Sequence, residues 1–252
     1  MITPKQLLAV ADRIAPVDTA LEGDPCGIML DLDNPTDRVL VALDVTCDVL
    51  DEAVRLGCGI IVTHHPLIYH PLRRLGAGDR VCTAIRAGLS VLSFHTCWDA
   101  ADGGVNDQLA GRLGLTGVRR FGELGRIGAL PQPLDAAGLA RLAMERLGAR
   151  HAGVVDGGRL IRTVAVCGGA GSGETDFLVS AGADAFVTGE LPHHALLELR
   201  GCGISAAVLG HYETEAFAGD ELARRLEELL GGRARVLRSR CEKAPDFHLF
   251  AE

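Results

Sequence analysis

Four times along the chain, a glycine is followed by a short run of apolar or small residues and then by a polar cluster. The four stretches are GCGIIVTHH (57–65), GLSVLSFHTCWD (88–99), GADAFVTGE (182–190) and GISAAVLGHYETE (203–215). Each reads as a helix C-cap glycine leading into a strand that is apolar on both faces. A strand of that kind needs helices on both sides of its sheet, which is the α/β arrangement. Polar residues at the C-terminal ends of such strands fall where open α/β sheets place their ligands. Two longer stretches also echo one another. Residues 38–65 and 162–190 share the order strand, polar turn, helix, glycine, strand and polar end. A β-α-β unit present twice predicts two lobes of similar topology, the first ending near residue 124, where a glycine-rich strand and a Pro131-Gln132-Pro133 break begin.

The 252 residues are 48% hydrophobic, enough to bury a large core. A formal net charge of −8 argues against general binding to nucleic acid or to an anionic membrane surface, both of which need basic patches. Metals, small molecules and other protein chains remain as partners. The opening MITPKQLLAVADRIAPVD carries a Thr3-x-x-Gln6 capping box with Pro4 at the first helical position, so it predicts a folded helix rather than a signal peptide. No run of 18 uncharged apolar residues predicts a membrane span. The eight cysteines are scattered singly without a C-x-x-C pair, the pattern of reduced thiols in a cytoplasmic protein.

Three polar clusters carry the chemistry. His64 and His65 end the first stretch, and on a continuing strand their rings would face opposite sides, so that two ions could take one each. Alternatively they are loop histidines bonded to backbone. The second cluster holds His95, Asp99, Asp102, Asn106 and Asp107; of Asp99 and Asp102, one is expected to cap the following helix and the other to be a ligand. In the third, His211 and Glu215 stand at i, i+4, on one face of a helical turn. Three imidazoles and two carboxylates from three strand ends suit two divalent transition ions, with Glu215 the candidate bridge. The turn VCGGAGSGE (166–174) lacks the Lys-Ser/Thr of a Walker motif, although its glycines could present N–H groups to an anion.

The motifs IIVTHHPLI, SFHTCWDAADGGVNDQLA, ELGRIGAL, VAVCGGAGSGETDFLVSAGADAFVTGELPHHALLE and VLGHYETE occur in order and cover most of residues 38–215. In these the chain resembles the NIF-three-like family, whose bacterial members are labelled GTP cyclohydrolase 1 type 2 homologues. The resemblance implies two interlinked α/β lobes of similar topology with a dinuclear metal site between them, and a toroidal homohexamer. On that pattern residues 1–124 with 209–252 form the metal-binding lobe and 125–208 the second. The implied ligands are His64, His65, Asp99, His211 and Glu215, with Glu215 touching both ions and His95 and His194 nearby. One stretch departs from the family: EGDPCGIML (22–30) stands where members often carry Trp-Asp-Asn-x-Gly-Leu, and it has neither the Trp nor the Asn. The large central insertion of some members is also missing.

The expectation is a metal-dependent hydrolase in which two divalent ions (zinc, manganese, iron, cobalt or nickel) activate water against a nucleotide-like small molecule, GTP ring opening being the reaction the family label suggests. Catalytic roles fall to His95, His194 and Glu215, the histidines as proton carriers. The rivals are a metal-stabilised binding or scaffold protein without catalysis, and a dimetal nucleotide phosphoesterase.

Overall fold

The computed structural model describes residues 1–245; residues 246–252, the end of the expected metal-binding lobe, lie outside the described residues. In chain order the elements are α1 (Pro4–Ala11), β1 (Gly27–Leu30), β2 (Arg38–Ala42), α2 (Cys47–Leu56), β3 (Ile60–Thr63), α3 (Arg80–Arg86), β4 (Ser90–Ser93), α4 (Thr96–Ala100), α5 (Val105–Arg112), β5 (Thr116–Arg120), β6 (Arg126–Leu134), α6 (Ala136–Leu147), β7 (Gly153–Val155), β8 (Ile161–Ala170), α7 (Leu178–Ala181), β9 (Ala185–Glu190), α8 (His193–Gly201), β10 (Ser205–Val208), α9 (His211–Glu215), α10 (Ala218–Leu230) and β11 (Arg235–Arg238). They divide into two compact units: Met1–His95 with the segment from Gly219 onward, and Thr96–Ala218.

Local chemistry sets the element ends. Thr3 Oγ1 accepts from Gln6 N while Gln6 Oε1 accepts from Thr3 N, closing the capping box that opens α1. Thr46 caps α2 through Val49 N. Gly57 and Gly182 end α2 and α7 in the left-handed conformation, φ +68° and +72°, which a residue with a Cβ adopts only under strain.

The sheet of the first unit runs β1-β4-β3-β2-β11, with β4, β3, β2 and β11 parallel and β1 antiparallel at the edge. Alternate residues of its strands, Leu40, Ala42, Ile61 and Val91, join Val49, Leu50 and Ala53 of α2 and Val81 and Ala84 of α3 in one core. The residues between them, Val39, Val41, Ile60, Val62 and Leu92, are also fully buried. The sheet of the second unit runs β5-β6-β8-β9-β10-β7, its centre β8-β9-β10 parallel and its flanks antiparallel. Val164, Val166 and Val187 point into a core with α5 and α6, and Ala165, Cys167 and Phe186 into a second core with α7 and α8. Each buried Val, Leu, Ile or Phe stabilises its unit by roughly 1.5–3 kcal/mol. In both units three strands consecutive in sequence lie side by side and parallel, the mixed α/β fold that the repeated stretches predict.

Candidate metal centre

Register is what gathers the histidines of the first unit. Ala42 pairs with Thr63 and Thr63 with Ser93, so β2, β3 and β4 end flush. The residues just beyond, Asp44, His64 with His65, and His95, therefore emerge together at one sheet edge. A donor atom from each of His64, His65 and His95 lies within 4.8 Å of the others. The ring centroids are 5.0 Å apart for His64 and His65, 5.2 Å for His64 and His95, and 5.7 Å for His65 and His95. The two neighbouring imidazoles thus converge rather than face opposite sides. The strand stops at Thr63, so its two-residue alternation no longer governs them.

Each ring also has its proton placed. His64 Nδ1 is 3.0 Å from the Phe94 carbonyl oxygen, an atom that can only accept, so Nδ1 carries the hydrogen. His65 Nδ1 lies 2.9 Å from Asp44 Oδ1, and His95 Nδ1 lies 2.6 Å from Asp24 Oδ1. In a neutral ring so held, Nε2 keeps its lone pair, which is the form in which imidazole binds a metal.

The second unit supplies carboxylates. Asp99, inside α4, and Glu215, at the end of α9, are both buried and offer oxygens within 4.8 Å of one another. His211 Nε2 stands 3.2 Å from Glu215 Oε2, one turn along α9, and its Nδ1 stands 3.3 Å from Glu190 Oε1 at the end of β9. Backbone makes the room: a Cβ on Gly169 would sit 2.2 Å from Glu215 Oε1 and 2.8 Å from His211 Nε2. Burial, together with the charges of Asp99, Glu174 and Glu215, pushes the Cys167 thiol well above its ordinary value, so it stays protonated and inert.

Several expected roles change. Neither Asp99 nor Asp102 caps α5. Gly104 occupies its N-cap, Asp107 turns back to accept from Gly103 N at 2.6 Å, and Asp102 is exposed and paired with Arg120. Three N–H groups of the glycine-rich stretch at the end of β8 are taken within the unit. Gly168 N, Gly169 N and Gly171 N already donate to Asn106 Oδ1, Thr214 Oγ1 and Thr188 Oγ1, and the carboxylate of Glu174 in that turn accepts from Glu123 N and Leu124 N. Burial holds the Glu174 carboxyl above the ordinary carboxylate range in spite of those N–H donors. His194 lies exposed in the first turn of α8 and joins neither donor group among the described residues. Asp24 and Asp44 are the partners that the sequence reading missed. Asp44 in VALDVT is the same polar strand end that drew attention in the four glycine-led stretches, only without the glycine.

The architecture and the donors define a mixed α/β protein whose His, Asp and Glu groups could hold a metal ion. The chain belongs to the Duf34/NIF3 (NGG1p interacting factor 3) family, whose model matches residues 2–245. A GTP cyclohydrolase 1 type 2 homolog of Streptomyces coelicolor is 36% identical over 230 residues, covering 83% of this chain and 80% of the relative. Another so named, from Clostridium perfringens, is 27% identical over 258 residues, covering 95% and 97%. Among solved structures, a Bacillus cereus protein related to NIF3 superposes with a TM-score of 0.91 at 21% identity, covering 98% of this chain and 99% of that one, and shows the shared fold. Among the described residues no helix is long and apolar enough to cross a membrane.

Proposed function

We propose that the protein is a metal-dependent hydrolase, two divalent ions being held by His64, His65, Asp99, His211 and Glu215 and the substrate being a small nucleotide-like molecule. The observation that carries this reading is that the three histidines of the first unit each direct Nδ1 to an acceptor, so that Nε2 is the nitrogen with the lone pair a metal takes. Such an arrangement prepares imidazoles to receive a cation. Buried carboxylates in Asp99 and Glu215 add oxygen donors, and a mixed nitrogen and oxygen set suits zinc, manganese, iron, cobalt or nickel. A bound divalent ion supplies Lewis acidity and lowers the pKa of water. Glu215, with two oxygens and a buried position, is the group suited to span two ions. Asp44 and Glu190 orient His65 and His211, and His95 accepts or returns a proton at Nε2. His194, exposed on α8, is the second candidate for proton transfer.

The name of the two bacterial relatives, GTP cyclohydrolase 1 type 2 homolog, supports GTP as the first substrate to try. Eight cysteines without a disulfide among the described residues support a reducing, cytoplasmic location. A toroidal homohexamer belongs to the same proposal. Elemental analysis of native protein, followed by a turnover screen in which metal-free protein is reloaded with each ion and offered GTP, other nucleoside triphosphates and nucleoside monophosphates, tests it. The expected result is about two ions per chain and a turnover that Glu215→Ala lowers by about 100-fold or more. A protein that unfolds on metal removal, and that turns over none of these substrates when reloaded, would instead be a metal-stabilised scaffold.

A further inference from the structure

The stretch EGDPCGIML lost the family's Trp and Asn, yet it contributes one of the most buried carboxylates of the first unit. β1 runs antiparallel to β4 with Gly27 opposite Ser93, so the residues preceding Gly27 lie beside those following Ser93. That register carries Asp24 to His95. The Asp24 side chain is only 5% exposed, its backbone N–H is tied to Leu21 O at 3.0 Å, and its two oxygens have separate partners. Oδ1 stands 2.6 Å from His95 Nδ1, and Oδ2 accepts from Cys26 Sγ at 3.2 Å.

An ionised carboxylate can only accept, so it draws the ring hydrogen of His95 to Nδ1 and leaves Nε2 bare. A free imidazole is under no such constraint and exchanges between both neutral forms. The ring cannot turn over without breaking a short bond to a buried acceptor. Cys26 in turn fixes the rotation of the carboxylate, since its thiol occupies the second oxygen. We infer that Asp24, steadied by Cys26, is a positioning residue that fixes the tautomer of His95, keeping the ring hydrogen at Nδ1. The inference rests on the proposal that His95 moves protons at a metal-bearing site, and it assigns to segment 22–30 a role of its own. It is the logic by which an acid behind a histidine selects the tautomer in acyl-transfer enzymes.

The test is long-range nitrogen–proton correlation NMR on the intact, metal-free protein with 15N-labelled histidine, at a pH where the rings are neutral. A His95→Gln variant identifies the His95 signals. The expected wild-type spectrum shows Nδ1 protonated and Nε2 bare. Asp24→Leu, which removes the acceptor, should lose the bare-Nε2 signal as its population moves to the other tautomer, and Asp24→Asn, which restores one acceptor oxygen, should recover part of it. A wild-type His95 protonated at Nε2 overturns the inference, as does an Asp24→Leu protein with an unchanged His95 spectrum. The wild-type spectrum decides the point even where a variant fails to fold. Because no metal or substrate enters the measurement, a shifted tautomer in a protein that hydrolyses nothing would refute the hydrolase reading and leave the role of Asp24 standing.

Discussion

Replacing Gly169 by alanine should damage the second unit's donor set more than any comparable change in the glycine turn. Gly169 sits at φ +60°, where a Cβ costs about 1–2 kcal/mol of backbone strain. The new methyl would also meet Glu215 Oε1 at 2.2 Å, Glu215 Cδ at 3.1 Å and His211 Nε2 at 2.8 Å. Glu215 must then retreat by roughly 1 Å to reach van der Waals separation, and it is buried. Strain and repacking together come to about 2–4 kcal/mol, a loss of about 4–15 °C in Tm for a chain of this size. If Glu215 holds a metal, its displacement weakens Zn2+ binding by at least about tenfold, or roughly 1.4 kcal/mol. Calorimetry reads both quantities, thermal unfolding for the first and Zn2+ titration for the second. Gly173→Ala is the control: nothing lies within 4 Å of its Cβ position and its φ is not positive, so its effect should stay within about 0.5 kcal/mol. A Gly169→Ala protein with wild-type Tm and wild-type Zn2+ affinity would refute the argument.

Two further outcomes follow from buried carboxylates. Asp99→Asn should stabilise the metal-free protein, by about 1–3 kcal/mol in urea unfolding, while weakening Zn2+ binding at least about tenfold, because it removes one of two negative charges held within 4.8 Å; a destabilised metal-free variant would contradict this. Glu52 is buried on α2, where burial alone would raise its carboxyl, but hydrogen bonds from Ser239 Oγ, Arg240 N and Cys241 N bring it below its ordinary value of 4.5. A depressed carboxyl stabilises the fold above its unfolded pKa and loses that contribution as pH falls through its folded pKa. Glu52→Gln should therefore cost about 2 kcal/mol at pH 7, with the gap to wild type closing as pH drops below 4.5; a gap constant down to pH 3 would show that the charge is not what matters.

Much of this was legible in the chain because the relevant forces are local or periodic. Glycine-led apolar runs announced β3, β4, β9 and β10, and the capping box at Thr3 and the glycine stops after α2 and α6 marked helix ends within a residue. What escaped depends on register. His64 and His65 were expected to diverge by strand alternation, but where a strand stops is decided by its neighbours, and β3 ends at Thr63 level with Ala42 and Ser93. Asp24 is 71 residues from His95 in sequence, and only the antiparallel pairing of β1 with β4 joins them. The glycine turn after β8 looked open to an anion because its N–H partners, Asn106, Thr188 and Thr214, come from three other elements.

In the first unit, parallel strands of equal reach deliver His64, His65 and His95 together at one end of the sheet. Behind these rings at Nδ1 stand the Phe94 carbonyl for His64, Asp44 for His65 and Asp24 for His95. The second unit holds two buried carboxyl groups, Asp99 and Glu215, with oxygens within 4.8 Å of one another, and two ionised carboxylates that close repel by about 3 kcal/mol or more at an effective dielectric of 20. An arrangement of that kind works against folding, and a chain of net charge −8 has no surplus of cations to neutralise it elsewhere. A divalent cation relieves repulsion of this size, and carboxylate oxygens are among the donors such an ion takes.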